Sequence, residues 1–110
     1  MAFSGGDVVL VPFPYRDRPM ERTRPAVVTS AQVYNQHGDL VVAAVTSHGP
    51  RVNTGYALSD WSVAGLQFPS TVRMLLATVA HSRVLLHIGR LSGRDWAEVQ
   101  TRVLQVFAWP

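Results

Sequence analysis

The sequence predicts a mainly β (α+β) domain, a small antiparallel β-barrel of about five to seven strands with an amphipathic α-helix at the C-terminus. Three observations predict it. Short apolar, β-branched runs recur over residues 8–91 and are separated by Gly, Pro and polar clusters. After Ser92 the period becomes helical, with apolar side chains at Trp96, Val99, Val103, Leu104 and Phe107. A length of 110 residues with 47% hydrophobic content suits one domain, 1–110, and leaves no material for a second core.

The elements follow in order. Residues 8–13 form an apolar strand ended by Pro12 and Pro14, because proline cannot donate to a central ladder. Residues 15–23 carry Arg16, Asp17, Arg18, Glu21 and Arg22 without a hydrophobic period and read as a solvated loop. Arg24 is extended, since the ring of Pro25 clashes with a helical residue before it. Residues 26–29 form the second strand, and 35–39 a polar turn. The continuous apolar run 40–45 suits a strand buried on both faces at the centre of the sheet. It ends in Thr46-Ser47-His48-Gly49-Pro50, the kind of strand exit where sites are built. Residues 52–60 read as a short strand and turn, and 63–69 contain an Ala-Gly-Leu turn leading to Ser70. Residues 71–79 and 83–91 read as two further strands. Ser92, followed three residues later by Asp95, resembles a capping box.

Composition narrows the chemistry. There is no cysteine, which removes disulfides, thiolate nucleophiles and thiolate metal sites. There is no lysine either: all ten basic residues are arginine, which binds anions but cannot accept protons at working pH. A base must come from Asp, Glu, His, Tyr or a polarised hydroxyl. His37, His48, His81 and His87 lack the spacing of a metal site, so neither metal nor cofactor is expected. No run approaches the ~18 apolar residues of a membrane span, and Asp7 stands where a signal peptide has a basic flank, which predicts a cytoplasmic protein with no membrane association. The net charge of +3 is too modest for a general DNA coat, yet a few clustered arginines can meet several phosphates.

Several segments, read together, point to a family. GDVVLVPFP begins at Gly6, YRDRPMERT follows, and RPAVVTS begins at Arg24. VVAAVTSH closes the central strand, and AGLQFPSTV and SRVLLHIGRLS precede the helix. In order and spacing the chain resembles the MazF/PemK family of toxin ribonucleases over essentially the whole domain. The resemblance implies an SH3-like, PemK-type barrel and a toxin of a type II toxin-antitoxin system. It implies metal-independent cleavage of single-stranded RNA, leaving a 2′,3′-cyclic phosphate and a 5′-hydroxyl. It further implies a homodimer and a cognate antitoxin whose flexible acidic tail covers the RNA groove. The family's catalytic arginine and threonine carry over to Arg24 and Thr46. One departure stands out: within RMLLATVAHS, Ala77 occupies the place of an arginine in the family's Arg-Thr pair, leaving Thr78, with Arg73 as a compensating cation.

These residue types suit the reaction. Attack by a ribose 2′-hydroxyl on phosphorus builds negative charge, which a fixed arginine stabilises by roughly 3 to 4 kcal/mol when water is excluded. Thr46 can orient the phosphate. Ser47, His48 and Glu21 are further candidates for catalytic or orienting roles. An imidazole with an ordinary pKa of ~6.5 exchanges protons at neutral pH, although His48 reads first as an exposed loop residue. Glu21 reads as a base, as a partner that orients Arg24, or as a member of a local ion pair. Tyr15, Arg16, Arg18, Arg22, Arg73 and Thr78 are the RNA-binding candidates, because single strands stack bases on aromatic rings while cations follow the phosphates. Trp96 reads as core and Trp61 as an interface residue. Two other readings remain. Trp109 near the carboxyl end invites comparison with the CcdB gyrase poisons, which share the barrel class but lack the GDVVLVPFP and RPAVV pattern. Ala77 fits a member that retains antitoxin binding without cleavage.

Overall fold

The structure, a computed structural model, describes residues 2–15, 17, 19–47 and 55–108. Strand β1 (Asp7–Phe13) sends Val9, Val11 and Phe13 into one apolar cluster and Val8 into a second, as the two-residue period of a strand requires. Strand β2 (Arg22–Val28) runs antiparallel to it, with Phe13 opposite Arg22, Val11 opposite Arg24 and Leu10 opposite Pro25. The strand therefore begins at Arg22, inside the stretch expected to be a loop. Its polar first half has no apolar period, and pairing along β1 supplies the ladder that its own sequence does not signal.

A single turn of helix, α1 (Gln32–Asn35), precedes the polar turn expected over 35–39 and overlaps it at Asn35. Asn35 explains it. Its side chain is buried, donates to the carbonyl oxygens of Phe3 (2.9 Å) and Ser30 (3.0 Å), and accepts from the Ser30 hydroxyl. The same contacts hold the N-terminal segment down, so that Phe3 is buried in the first cluster with its ring 4.8 Å from that of His81.

Strand β3 (Asp39–Thr46) is the predicted central strand. Leu40, Val42 and Ala44 face the first cluster, and Ala43 and Val45 the second. Full burial of one such valine or leucine stabilises the fold by roughly 1.5 to 3 kcal/mol. Strand β4 (Tyr56–Ala57) is short, and the rest of the strand expected over 52–60 lies partly outside the described residues. Strand β5 (Thr71–Ala80) pairs with both β3 and β4. A 3₁₀ turn (His81–Arg83) then interrupts the strand expected to start at residue 83, because the His81 N–H turns to the Gly38 carbonyl at 2.8 Å and that of Val84 to His81 at 3.2 Å. Strand β6 (Leu86–Arg90) completes a curled, six-stranded antiparallel sheet in the order β4-β5-β3-β2-β1-β6.

Two irregularities bend the sheet beside the end of β3. On β6, Val8 pairs with Gly89 and Val9 with His87, so Ile88 is the extra residue of a bulge. On β5, Ala43 pairs with Leu76 but Val45 with Val72, which leaves residues 73–75 opposite Ala44 and takes Arg73 off the regular ladder.

Helix α2 (Gly93–Val106) covers the second cluster. Val99 is fully buried there, with Trp96 and Val103 half-buried one turn to either side, which is the predicted helical stripe. The stripe ends early: Leu104 and Phe107, expected on the same face, are 54% and 51% exposed. Trp61, expected at an interface, packs against the second cluster of its own chain. Only half of the capping box forms as expected. The Ser92 hydroxyl accepts from the Asp95 N–H at 3.3 Å, while the Asp95 carboxylate is engaged elsewhere. No helix among the described residues is long and apolar enough to cross a membrane.

Candidate active-site cleft

Arg24 lies in β2 just before the strand becomes fully buried at Ala26, held extended by Pro25 and paired with Val11. Thr46 ends β3, opposite Thr71 of β5, and Ser47 follows it into solvent. The curl of the sheet brings these ends together around a cleft of about 390 Å³. Arg24, Thr46, Ser47 and Ser70 form its polar side. Leu66, Phe68, Leu86 and Ile88 form an apolar side, and Gln67 lies beside them. Phe68 and Leu86 are 61% and 56% exposed, so this side presents apolar surface to whatever enters.

The turn before β5 builds the apolar side. It is tightened by the N–H groups of Ala64, Gly65 and Leu66, which donate to the carbonyl oxygens of Asp60, Ser62 and Trp61. Gly65 takes a positive φ of 89°, and a Cβ there would lie 2.7 Å from the Ile88 carbonyl oxygen. A Cβ on Gly89 would meet the Ala64 carbonyl oxygen at 2.2 Å. The backbones of turn and strand are therefore in contact, at a separation only glycine permits. This explains why both AGL and HIGR carry a glycine. At the far end of the turn, the Ser70 hydroxyl donates to the Phe68 carbonyl at 2.7 Å, and the Leu58 N–H closes the loop on the Ser70 carbonyl at 2.9 Å.

Electrostatically the cleft suits an anion. Among the described residues that line it, Arg24 is the cation and no carboxylate is present. Arg24 has no hydrogen-bonded or ion-paired partner among the described residues, in contrast to Arg83, Arg90, Arg94 and Arg102. A larger cavity, about 590 Å³, lies beside Phe3, Gln32 and His81 and includes none of the predicted site residues.

The remaining candidates divide. Glu21 does not face Arg24: its carboxylate takes two hydrogen bonds from Arg83, at 2.9 and 3.1 Å, and the pair staples the start of β2 to the 3₁₀ turn. Tyr15 is not a free stacking platform, since its ring packs on Phe13 with centroids 4.8 Å apart and contributes to the first cluster. Arg22 is exposed at the start of β2, Arg73 is half-buried in the β5 bulge, and Thr78 is exposed opposite Val41. None of these three lines the cleft. Ala77 packs against the first cluster opposite the buried Val42, a place where an arginine would press its charge on apolar side chains. Arg16, Arg18, His48 and Trp109 lie outside the described residues. Sequence reasoning missed Leu66, Gln67, Phe68 and Leu86 as lining residues. The signal for the first three was the AGLQFPS stretch itself, a glycine turn followed by an exposed aromatic.

Known proteins share this fold. The chain resembles an endoribonuclease in complex with its cognate antitoxin from a mycobacterial species, at 18% identity over 99% of this chain and 100% of the other, with a TM-score of 0.79. It resembles MazF from Deinococcus radiodurans at 22% identity over 96% of each chain (TM-score 0.78). It also resembles MazE-MazF from the same organism at 19% identity, over 100% of this chain and 99% of the other (TM-score 0.76). A comparison with curated protein sequences gives no match. At these identities the solved structures establish the fold. The family follows from the match of residues 4–107 to the model of the PemK-like, MazF-like toxin of type II toxin-antitoxin systems. The chain belongs to that toxin family.

Proposed function

We propose that this chain is a metal-independent endoribonuclease toxin that cleaves single-stranded RNA at the cleft between Arg24 and Thr46. The observation that carries the reading is the convergence of Arg24, Thr46 and Ser47 on one cleft, in which the Arg24 guanidinium has no partner among the described residues and no described lining residue is a carboxylate. The ribose 2′-hydroxyl loses its proton and attacks the adjacent phosphorus, the P–O5′ bond breaks, and the leaving oxygen takes up a proton. The products are a 2′,3′-cyclic phosphate and a 5′-hydroxyl. Arg24 stabilises the charge that develops on the phosphoryl oxygens, and the Thr46 and Ser47 hydroxyls orient the phosphate. The apolar side, with Phe68 at its mouth, suits a base flanking the scissile phosphate.

The reading extends to partners. Similar proteins are described as an endoribonuclease with its cognate antitoxin and as MazE-MazF, which supports a cognate antitoxin for this chain, with an acidic tail suited to the cationic cleft. The exposed Leu104, Val106 and Phe107 at the end of α2 support a homodimer that covers them, and the site of action is the cytoplasm.

The test is cleavage of a mixed-sequence single-stranded RNA in EDTA. The unaltered chain is expected to cut, and Arg24→Ala and Thr46→Ala each to lose about 10² to 10³ in rate while remaining folded. Intact RNA after prolonged incubation with folded protein overturns the reading. Tight antitoxin binding in that case selects the non-cleaving alternative that Ala77 suggests.

A further inference from the structure

The Asp95 carboxylate is fully buried at the start of α2, and it does not close the local capping box. One oxygen accepts from the Tyr56 hydroxyl at 2.7 Å and the Ser59 N–H at 3.0 Å, and the other from the Asp60 N–H at 2.8 Å. The side chain thus grips a segment 35 to 39 residues away in sequence. Asp60 is gripped in return, by the Ser92 hydroxyl at 2.6 Å and the Arg94 guanidinium. The turn that walls the cleft starts at this point: the Asp60 carbonyl accepts from Ala64, Gly65 lies on Ile88, and Leu66, Gln67 and Phe68 follow into the cleft.

We propose that Asp95 is a positioning residue for RNA recognition: from behind the turn, its carboxylate holds residues 59–68 so that Leu66, Gln67 and Phe68 stand against the base flanking the scissile phosphate. This inference rests on the RNA reading of the cleft. A carboxylate is required because three donors converge on it. Asparagine has the same shape but replaces one acceptor oxygen with an NH₂ group. In either orientation that group faces a backbone N–H, of Ser59 or of Asp60, and the loss is that of a satisfied buried bond. The held wall carries no proton donor or acceptor matched to the reaction. Its contact with RNA is the same before and during bond breaking, so its displacement weakens binding and leaves the chemical step alone.

The experiment compares the unaltered chain with Asp95→Asn and Tyr56→Phe. Binding is read with a mixed-sequence single-stranded RNA made uncleavable by 2′-O-methylation, turnover with its cleavable counterpart, and local order by hydrogen exchange. Expected for Asp95→Asn are about tenfold weaker binding, the scale of a lost base stack, and kcat within about threefold of the unaltered chain. The amides of Ala64, Gly65 and Leu66 should exchange faster while those of β1 to β3 keep their protection. Unchanged affinity alongside faster turn exchange overturns the proposal. So does a rise in exchange spread evenly over the sheet, which marks a purely structural role. If Asp95→Asn does not fold, Tyr56→Phe carries the test through loss of one hydrogen bond, with several-fold weaker binding expected and unchanged binding overturning the proposal. An unaltered chain that binds RNA without cutting it refutes only the ribonuclease reading, whereas one that binds no RNA refutes this proposal as well.

Discussion

Asp60 and Arg94 form a two-point ion pair, with Nε donating to one carboxylate oxygen at 2.7 Å and Nη2 to the other at 2.8 Å. The Ser92 hydroxyl donates to the same carboxylate at 2.6 Å. These contacts, Arg94 first, hold the Asp60 carboxyl well below the usual carboxylate range. A depressed folded-state pKa means that the pair contributes fully above the unfolded value of ~3.9 and that this contribution is lost as pH falls below it. Urea midpoints of the unaltered chain should therefore drop on acidification below about pH 4, and Asp60→Asn should show a shallower acid limb. An acid limb of the same slope in both proteins would refute the assignment.

Tyr56 gives the complementary alkaline prediction. Burial, followed by the hydrogen bond to Asp95, raises its phenol above the usual tyrosine value, and the Arg102 guanidinium lies 4.7 Å from its ring centroid. The folded state favours the neutral phenol, so its contribution is present below an ordinary pKa of ~10 and is lost as pH rises through the raised value. Ultraviolet titration should show a tyrosine component that ionises late, and this component should be absent in Tyr56→Phe.

Ser92→Ala should cost about 1 to 2 kcal/mol in thermal or urea unfolding, within the usual range for a lost N-cap. The hydroxyl serves twice, accepting from the Asp95 N–H and donating to Asp60, which favours the upper end of that range. A cost near zero would mean that helix α2 begins without it.

Gly89→Ala should destabilise by about 1 to 3 kcal/mol, the scale of forced overpacking, because the new methyl group would meet the Ala64 carbonyl oxygen at 2.2 Å. Relief requires the turn to lift from β6, so the variant should also bind RNA more weakly. Retention of both stability and RNA affinity would show that the contact is not required.

Arg22 and Arg73 lie outside the cleft and have no ion-pair partner among the described residues. If each meets one phosphate of a single strand, its replacement by alanine should reduce the slope of log affinity against log salt by about 0.7. An unchanged slope removes that residue from the RNA track.

Local rules reached far into this protein. The apolar runs of β1 and β3 and the stripe through Trp96, Val99 and Val103 are legible because burial selects side chains at the period of the backbone that carries them. The extended backbone at Arg24 follows from its own bond to Pro25, and the cap at Ser92 from a contact three residues long. Arg24 and Thr46 were identified as a pair from family resemblance, and the cleft brings them together.

What the chain did not announce lies in contacts made over long distances. The polar half of β2 is a strand because β1 is beside it, and α1 forms around a buried Asn35 that reaches back to Phe3. The loop sequence around Glu21 offers local arginines as partners, yet Arg83, 62 residues on, takes its carboxylate. Asp95 was assigned to its own helix end, yet Tyr56, Ser59 and Asp60 claim it. Periodicity, proline sterics and caps act within a few residues and are therefore written in the sequence. The partner of a charged side chain, the place of a bulge and the wall of a cleft depend on which distant backbone the closed sheet brings within ~3 Å, and the tertiary structure decides that.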